Sequence, residues 1–585
     1  MKGLLAAALL LSWAAPARAQ LKNPDTFVDA AVGEVTSLDP VVPYDNASQA
    51  LIFNVYETLI GFDGSHLDKF VPMLASQVPS AKNGLISSDG MTYRFPIRRG
   101  VRFQDGSPMT PEDVRYSLLR FMLTDRAGGP SALLLQPILG VDSTRDASGK
   151  IVVDFAAVEK AIRVQGDDVV IKLPRPFAPF LAVMARWSYV MPKKWAVAHG
   201  EWDGTAAAWK RFNNPPDTAP SYFSEHMNGT GPFALERWDR TAQYVLLKRN
   251  DGYWRKPAAL KRVLVKTVPE FATRRLMLQA GDADVIETLR PLMGQLQGLP
   301  GVKIVDDLPR LMTDPVFYFT FKINTFANAD IGSGKLDGDG IPPDFFSDPD
   351  VRKGFAYAFD YDALIRDTFK GKAVRAKGPV PPYVPGADPK QPFYTYDLKK
   401  AEQHFRKAWD THVWEKGFRF TLTYNVGSEN REAACQILKR NVERLNPKFK
   451  IDIRGLEWAS YLQKAQDHLM PMFTRGWTAD YPDAHNFVYN FYHSDGRYPQ
   501  AQGFHDVEMD QLIDKAVREV DPRRRQALYD RILKLGYEEV PSIPTVHYVG
   551  AFAMRDWVRG FYENPVFLGL YYYPFSKAAE QVSSR

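Results

Sequence analysis

The chain is almost free of cysteine: Cys435 stands alone among 585 residues. One thiol cannot close an internal disulfide, so packing alone must hold the fold. The stretch around it, Arg431 to Leu438, has helical apolar spacing, which predicts a buried thiol on a helix. Long apolar runs are missing beyond the first twenty residues, and nothing there approaches the roughly 20 residues that a membrane-spanning helix requires. Basic runs are missing too. The 74 Lys and Arg against 68 Asp and Glu give a net charge of +6, but the basic residues are scattered and form no phosphate-tracking stripe. Nucleic acid is therefore not an expected partner.

Catalytic signatures are equally scarce. The ten histidines form no His-Glu-x-x-His, no paired Cys-x-x-Cys exists, and no Gly-x-Ser-x-Gly elbow occurs. Asp483, His485 and His493 are the nearest approach to a metal set, and Asp480 with Asp483 is a carboxylate pair of the kind glycosidases use. Spacing alone does not separate either from ordinary polar surface, and the expectation is no catalytic residue, no metal and no cofactor. The paired glycines of Gly229-Thr230-Gly231 lack the Lys-Ser/Thr of a phosphate loop and precede a strand rather than a helix. The Gly- and Asp-rich stretch from Gly332 to Gly340 lacks the third acidic position and closing Glu of a calcium loop, and reads as a solvated insertion.

What the chain does have is ordinary globular composition, 45% hydrophobic and 24% charged, at a length of about three domains. It is rich in aromatics (12 Trp, 27 Tyr, 36 Phe), which suits the walls of a large pocket. The start reads as an export signal: Lys2, an apolar stretch over residues 4–13, then Ala17-Arg18-Ala19 as the cleavage site. Cleavage after Ala19 leaves the mature chain at about +4. No cysteine follows that site to carry a lipid, so a free periplasmic protein is expected.

Strand and helix patterns alternate along the chain. Residues 27–35 and 92–97 read as strands, and 48–60 as a helix. Thr110-Pro111-Glu112-Asp113 opens a helix, with Thr110 as N-cap and Asp113 in the place of the usual capping-box Glu. The second half repeats the theme: helices over 351–369, 397–409 and 431–445, strands over 418–424 and 449–453. Such alternation implies open, mainly parallel sheets covered by helices, with ligands beyond the carboxyl ends of strands.

Several segments together resemble the extracellular solute-binding proteins of family 5, receptors of ABC importers for peptides, nickel and related solutes. The longest runs from Asp89 to Gly106 and on through Thr110-Pro111-Glu112-Asp113-Val114. It is joined by Ser37-Leu38-Asp39-Pro40, Tyr56-Glu57-Thr58-Leu59, Gly229 to Phe233, Asn250 to Trp254, Asp350 to Asp360 and Gly476-Trp477-Thr478-Ala479-Asp480. The resemblance implies an α/β, two-lobed periplasmic binding protein fold (type II, with an extra small domain), built of mixed open sheets covered by helices. It implies scaffold roles for most of these segments, no enzymatic activity, closure of the lobes over ligand, and permease subunits of an ABC transporter as partners of a monomer. The expected division is 1–19 signal, 20–65 first lobe, 66–184 small domain, 185–315 first lobe, 316–542 second lobe and 543–585 first lobe. The crossings between lobes are expected near residues 316–324 and 543–548, both β-rich and flanked by proline.

By resemblance, the acid at the position of Asp480 holds the terminal ammonium of a peptide, which is sensible for a charge-assisted bond in a poorly hydrated cleft. Read from the residues alone, Asp480 stands after a strand that ends at Gly476, and a helix N-cap or turn role is the alternative. Trp477 and Tyr481 either wall the first side-chain pocket or belong to the core. Oligopeptide-binding relatives carry an Arg two residues before the motif glycine, where this chain has Thr474; Arg475 is one step off and points to the other face. Dipeptide-binding relatives carry an Arg after the strand matching residues 418–424, where Asn425-Val426-Gly427-Ser428 stands. With neither carboxylate clamp evident, a longer peptide, a C-terminally modified one, or another solute such as a glycoside or metal chelate stays open.

Overall fold

The computed structural model describes residues 21–216, 220–567 and 569–578; the expected signal and its cleavage site lie outside them. One sheet of twelve strands runs through the described residues. In chain order its main strands are β1 (Thr26–Ala31), β2 (Phe233–Asp239), β3 (Tyr244–Arg249), β4 (Arg262–Thr267), β5 (Val285–Ile286), β6 (Val302–Phe319), β7 (Phe418–Asn425), β8 (Phe449–Leu456), β9 (Met472–Thr478) and β10 (Val546–Arg555). Across the sheet they lie in the order β8, β7, β9, β6, β10, β5, β1, β4, β3, β2. The helices that bear on the site are α1 (Asn46–Val55), α2 (Pro111–Thr124), α3 (Phe180–Trp187), α4 (Pro349–Ala358), α5 (Glu429–Leu445), α6 (Ala484–Tyr492) and α7 (Arg497–Gln502).

Alternating strands and helices predicted mainly parallel pairing, but the sheet is mixed. Among the main strands, parallel pairs are confined to β1 with β4 and β5, and β7 with β8 and β9. The centre is antiparallel because β6 and β10 cross between the two halves in opposite directions, and β2, β3 and β4 follow one another as neighbours. The eighteen residues of β6 pair first with β10 and then with β9. The handover is at Thr313, opposite both His547 and Trp477. Thus β6 and β10 are shared, with β7 to β9 on one side and β1 to β5 on the other. A separate three-stranded antiparallel sheet joins Thr92–Pro96, Asp168–Lys172 and Ile162–Gln165.

The signature segments are held by buried polar hubs. Glu57 accepts from Thr230 Oγ1 (2.8 Å), Trp254 Nε1 (2.8 Å) and Tyr253 Oη (2.6 Å), so three segments far apart in sequence meet at one carboxylate. Gly229 is needed beside it, since a Cβ there would lie 2.0 Å from the Val55 carbonyl oxygen. Asp39 accepts two bonds of 2.7 Å from Arg120 and one of 2.6 Å from Ser221. Breaking such a buried pair from one side costs about 3–5 kcal/mol. Ahead of α2 the capping box is complete: Thr110 Oγ1 accepts from the Asp113 amide, and Asp113 Oδ2 accepts from the Thr110 amide at 2.8 Å.

Two expected helices are shorter than their periodicity implied. The helix over 48–60 stops at Val55, where the chain turns to bring Glu57 to its three donors. The helix over 351–369 breaks after Ala358, because Asp360 turns its carboxylate onto the Ala363 amide (2.9 Å) and starts a new segment. Behind β7 and β8, Phe317, Phe319, Phe355, Phe418 and Phe420 form a core that includes Cys435, fully buried on α5 as its spacing predicted. Burial pushes its thiol well above the ordinary range. The Gly332 to Gly340 loop is closed by a backbone bridge between its ends and by Ser333 Oγ donating to Asp337 (2.7 Å), with most of its residues facing solvent.

Candidate functional site

Because β7, β8 and β9 are parallel, their carboxyl ends open along one edge of the sheet, facing the half that carries β1. β9 does not end at Gly476, as expected, but runs on to Thr478. The glycine serves packing inside the strand: a Cβ there would lie 2.3 Å from the Cβ of Asp314 on β6. That close approach lets Asp314 accept from Arg431 Nε at 2.8 Å, and Arg431 donates onward to Asn425 at 2.5 Å.

Asp480 stands two residues beyond β9 and is reached from both halves. Its Oδ1 accepts from the Tyr44 hydroxyl, and its carbonyl accepts from Trp187 Nε1 at 3.0 Å. Asn486 on α6 completes the grip: its Nδ2 donates to Asp480 Oδ2 (3.3 Å) and its Oδ1 accepts from the Asp480 amide (3.1 Å). Burial raises the Asp480 pKa, opposed by the bonds from Tyr44 and Asn486 and by the charges of Arg186 and Arg497. Each carboxylate oxygen keeps a free lone pair, so the group can accept again.

The cap of α6 is Asp483, not Asp480. Asp483 accepts from the His485 amide (2.8 Å) and takes two bonds of 2.7 Å from Arg525. With a further bond from the Tyr529 hydroxyl (3.2 Å), both of its oxygens are engaged in capping α6 and pairing Arg525. His485 is buried, shares a 2.8 Å bond with the Tyr481 hydroxyl, and burial pushes its pKa down to about 3. His493 lies at the far end of α6, stacked on Tyr489. Among the described residues no group of three metal-ligating side chains converges.

Trp477 is half-buried and donates to the same Asn486 Oδ1 at 2.8 Å, so it stands beside Asp480. Tyr481 is buried, with Phe177 packed edge-on at 6.4 Å. Sequence reasoning missed Tyr44, Trp187 and Asn486. Tyr44 and Trp187 precede Asp480 by hundreds of residues and belong to no motif; Asn486 had one usable signal, its place in the first turn of the helix opened by Asp483. Two large aromatics face water nearby, Tyr44 at 43% and Trp458 at 45% exposure. A cavity of about 950 Å³ in the other half, lined by Arg120, Trp209 and Tyr222, does not touch Asp480.

Residues 69–499 match the family of bacterial extracellular solute-binding proteins, family 5 middle. The chain belongs to that family. Heme-binding protein A of Haemophilus influenzae is 25% identical, over 93% of this chain and 89% of the relative. The dipeptide-binding protein DppE of Bacillus subtilis is 24% identical, over 91% and 88%. Among solved structures, the periplasmic binding protein DppA of Helicobacter pylori in complex with the peptide STSA superposes with a TM-score of 0.70 at 22% identity, covering 94% of this chain and 98% of that one. The two-lobed fold of mixed sheets and helices expected from the signature segments is the fold of this family 5 member.

Proposed function

We propose that the protein is a periplasmic receptor that captures peptides between its lobes and delivers them to an ABC importer, without catalysis. The observation that carries this reading is Asp480: a partly buried carboxylate with acceptor capacity to spare, at the carboxyl edge of a parallel strand group, contacted from both lobes. The dipeptide-binding relative and the peptide complex of the Helicobacter protein support a peptide as the solute. In this reading Asp480 receives the ligand ammonium, Trp477 walls the adjoining pocket and Tyr481 buttresses it from behind. The lobes are 20–65, 185–315 and 543–585 against 316–542, with 66–184 as the small domain, and they close by flexing β6 and β10. The mature chain is exported, unanchored and monomeric, with the importer's permease subunits as partners. The heme-binding relative favours a chelate as the second solute class.

Mass spectrometry of the solute that co-purifies with the native protein tests the assignment. A peptide supports it; a porphyrin or a sugar replaces it with another solute of the same receptor class.

A further inference from the structure

Positive charge gathers around Asp480 in excess of need. Arg186 on α3 donates to Gln49 Oε1 (3.2 Å) and Tyr189 Oη (2.5 Å) and stacks over Trp187 at 4.4 Å. Arg431 is satisfied by Asp314 and Asn425. Arg475 and Arg497 are different. Arg475, on β9, lies over the rings of Trp458 (5.1 Å) and Tyr498 (5.5 Å); Arg497 is the first residue of α7, next to Tyr498 in the chain. Among the described residues neither guanidinium donates a hydrogen bond or reaches a carboxylate at ion-pair distance. Both keep contact with solvent, Arg475 half-buried and Arg497 exposed. Arg186 and Arg497 act on Asp480, and Arg475, Arg497 and Arg431 gather with Asp314 around Tyr498.

An unpaired arginine on a free surface is common, but here two stand close enough to repel each other, and neither has an anion at hydrogen-bond distance. Loss of hydration around it and then the charge of Arg475 press Arg497 toward its neutral form, against the attraction of Tyr498, Tyr44 and Asp480. An anion between them would relieve that, and two planar forks match the oxygens of a carboxylate. We propose that Arg475 and Arg497 form a subsite for an anionic group of the ligand, adjoining the ammonium site at Asp480. This deepens the peptide reading on which it rests: the ligand carries a carboxylate near its amino end, either its own C-terminus in a short peptide or an acidic side chain.

Calorimetry on the full mature chain tests it with three tripeptides, each with a free amino terminus: one with a free C-terminus, its neutral C-terminal amide, and an amide carrying Glu. At least one carboxylate form should bind tenfold or more tighter than the neutral amide, and which form does so identifies the source. Arg475→Gln with Arg497→Gln should erase that preference, and the corresponding Lys variants should keep part of it. Equal binding of all three by the wild type, or a preference that survives the double Gln variant, overturns the proposal. If no peptide binds, the peptide reading fails, and thermal melting in succinate against chloride at matched ionic strength decides the subsite alone. A rise in melting temperature in wild type that the double variant lacks supports it, and no rise overturns it.

Discussion

The hydroxyl of Tyr44 donates to the carboxylate of Asp480 from 436 positions away, and with Trp187 it ties segments that precede β6 to the chain just beyond β9. Hydrogen bonds to charged groups contribute about 1.5–3 kcal/mol. Tyr44→Phe removes the donor without changing the ring, so the unliganded variant should open. Small-angle scattering should show a larger radius of gyration than wild type without ligand and the same value at saturation. Equal values in both states would mean that Tyr44 does not hold the lobes together.

Asp480→Asn keeps the shape and one acceptor oxygen but loses the charge. Peptides with a free amino terminus should bind about 2–5 kcal/mol more weakly, roughly thirtyfold to several thousandfold, while N-acetylated ones hardly change. Calorimetry on both ligand forms with both proteins closes a double-mutant cycle. A coupling energy near zero would remove Asp480 from the ammonium site.

Glu57→Gln should destabilise the fold without touching the cleft. The amide must point its NH2 either at Tyr253 or at Thr230 and Trp254, which share one oxygen, so at least one donor hydrogen loses its acceptor at about 1–3 kcal/mol. Urea unfolding should report the loss while ligand affinity stays at the wild-type value. An unchanged midpoint would mean that the hub carries no net stability.

His547 is neutral in the folded protein, where burial pushes its pKa from 6.5 down to about 3 and Arg375 adds to the effect. The unfolded chain takes up a proton near pH 6.5 that the folded chain refuses until about pH 3, so the contribution present above 6.5 is lost as pH falls through that window. From pH 7 to 5 this amounts to about 2 kcal/mol. His547→Gln abolishes it, and the stability gap between wild type and variant should shift by that amount in favour of the variant at pH 5. Asp29, raised to about 7 by burial, has the opposite slope but is common to both chains and cancels. A gap independent of pH would mean that His547 is accessible to protons in the folded state.

Local chemistry was legible in the sequence where one short segment decides the outcome. The Thr110 capping box, the buried Cys435 and the α/β alternation all follow from patterns within twenty residues of one another. The family signatures carried the two-lobed architecture, and also brought Asp480 into view. What escaped was whatever depends on two distant segments meeting. The Glu57 hub shortens a helix that periodicity alone extends, and Asp360 breaks another by capping where apolar spacing continues. β9 outruns Gly476 because that glycine answers to Asp314 on a different strand. Tyr44 and Trp187 carry no motif; only the folded sheet brings them to Asp480.

The register slips of β6 fall between Val305 and Val316, so the compliance of this long strand is concentrated in its middle. At about 3.3 Å per residue the strand extends roughly 60 Å, and its ends stay fixed in separate cores. In the receptor reading proposed above, β6 is a lever with an internal flexure, and a small displacement at the cleft would be magnified at the outermost strands, β2 and β8. A pair of fluorophores on those two edges would turn each capture event into a change of energy-transfer efficiency, with no label near the bound solute.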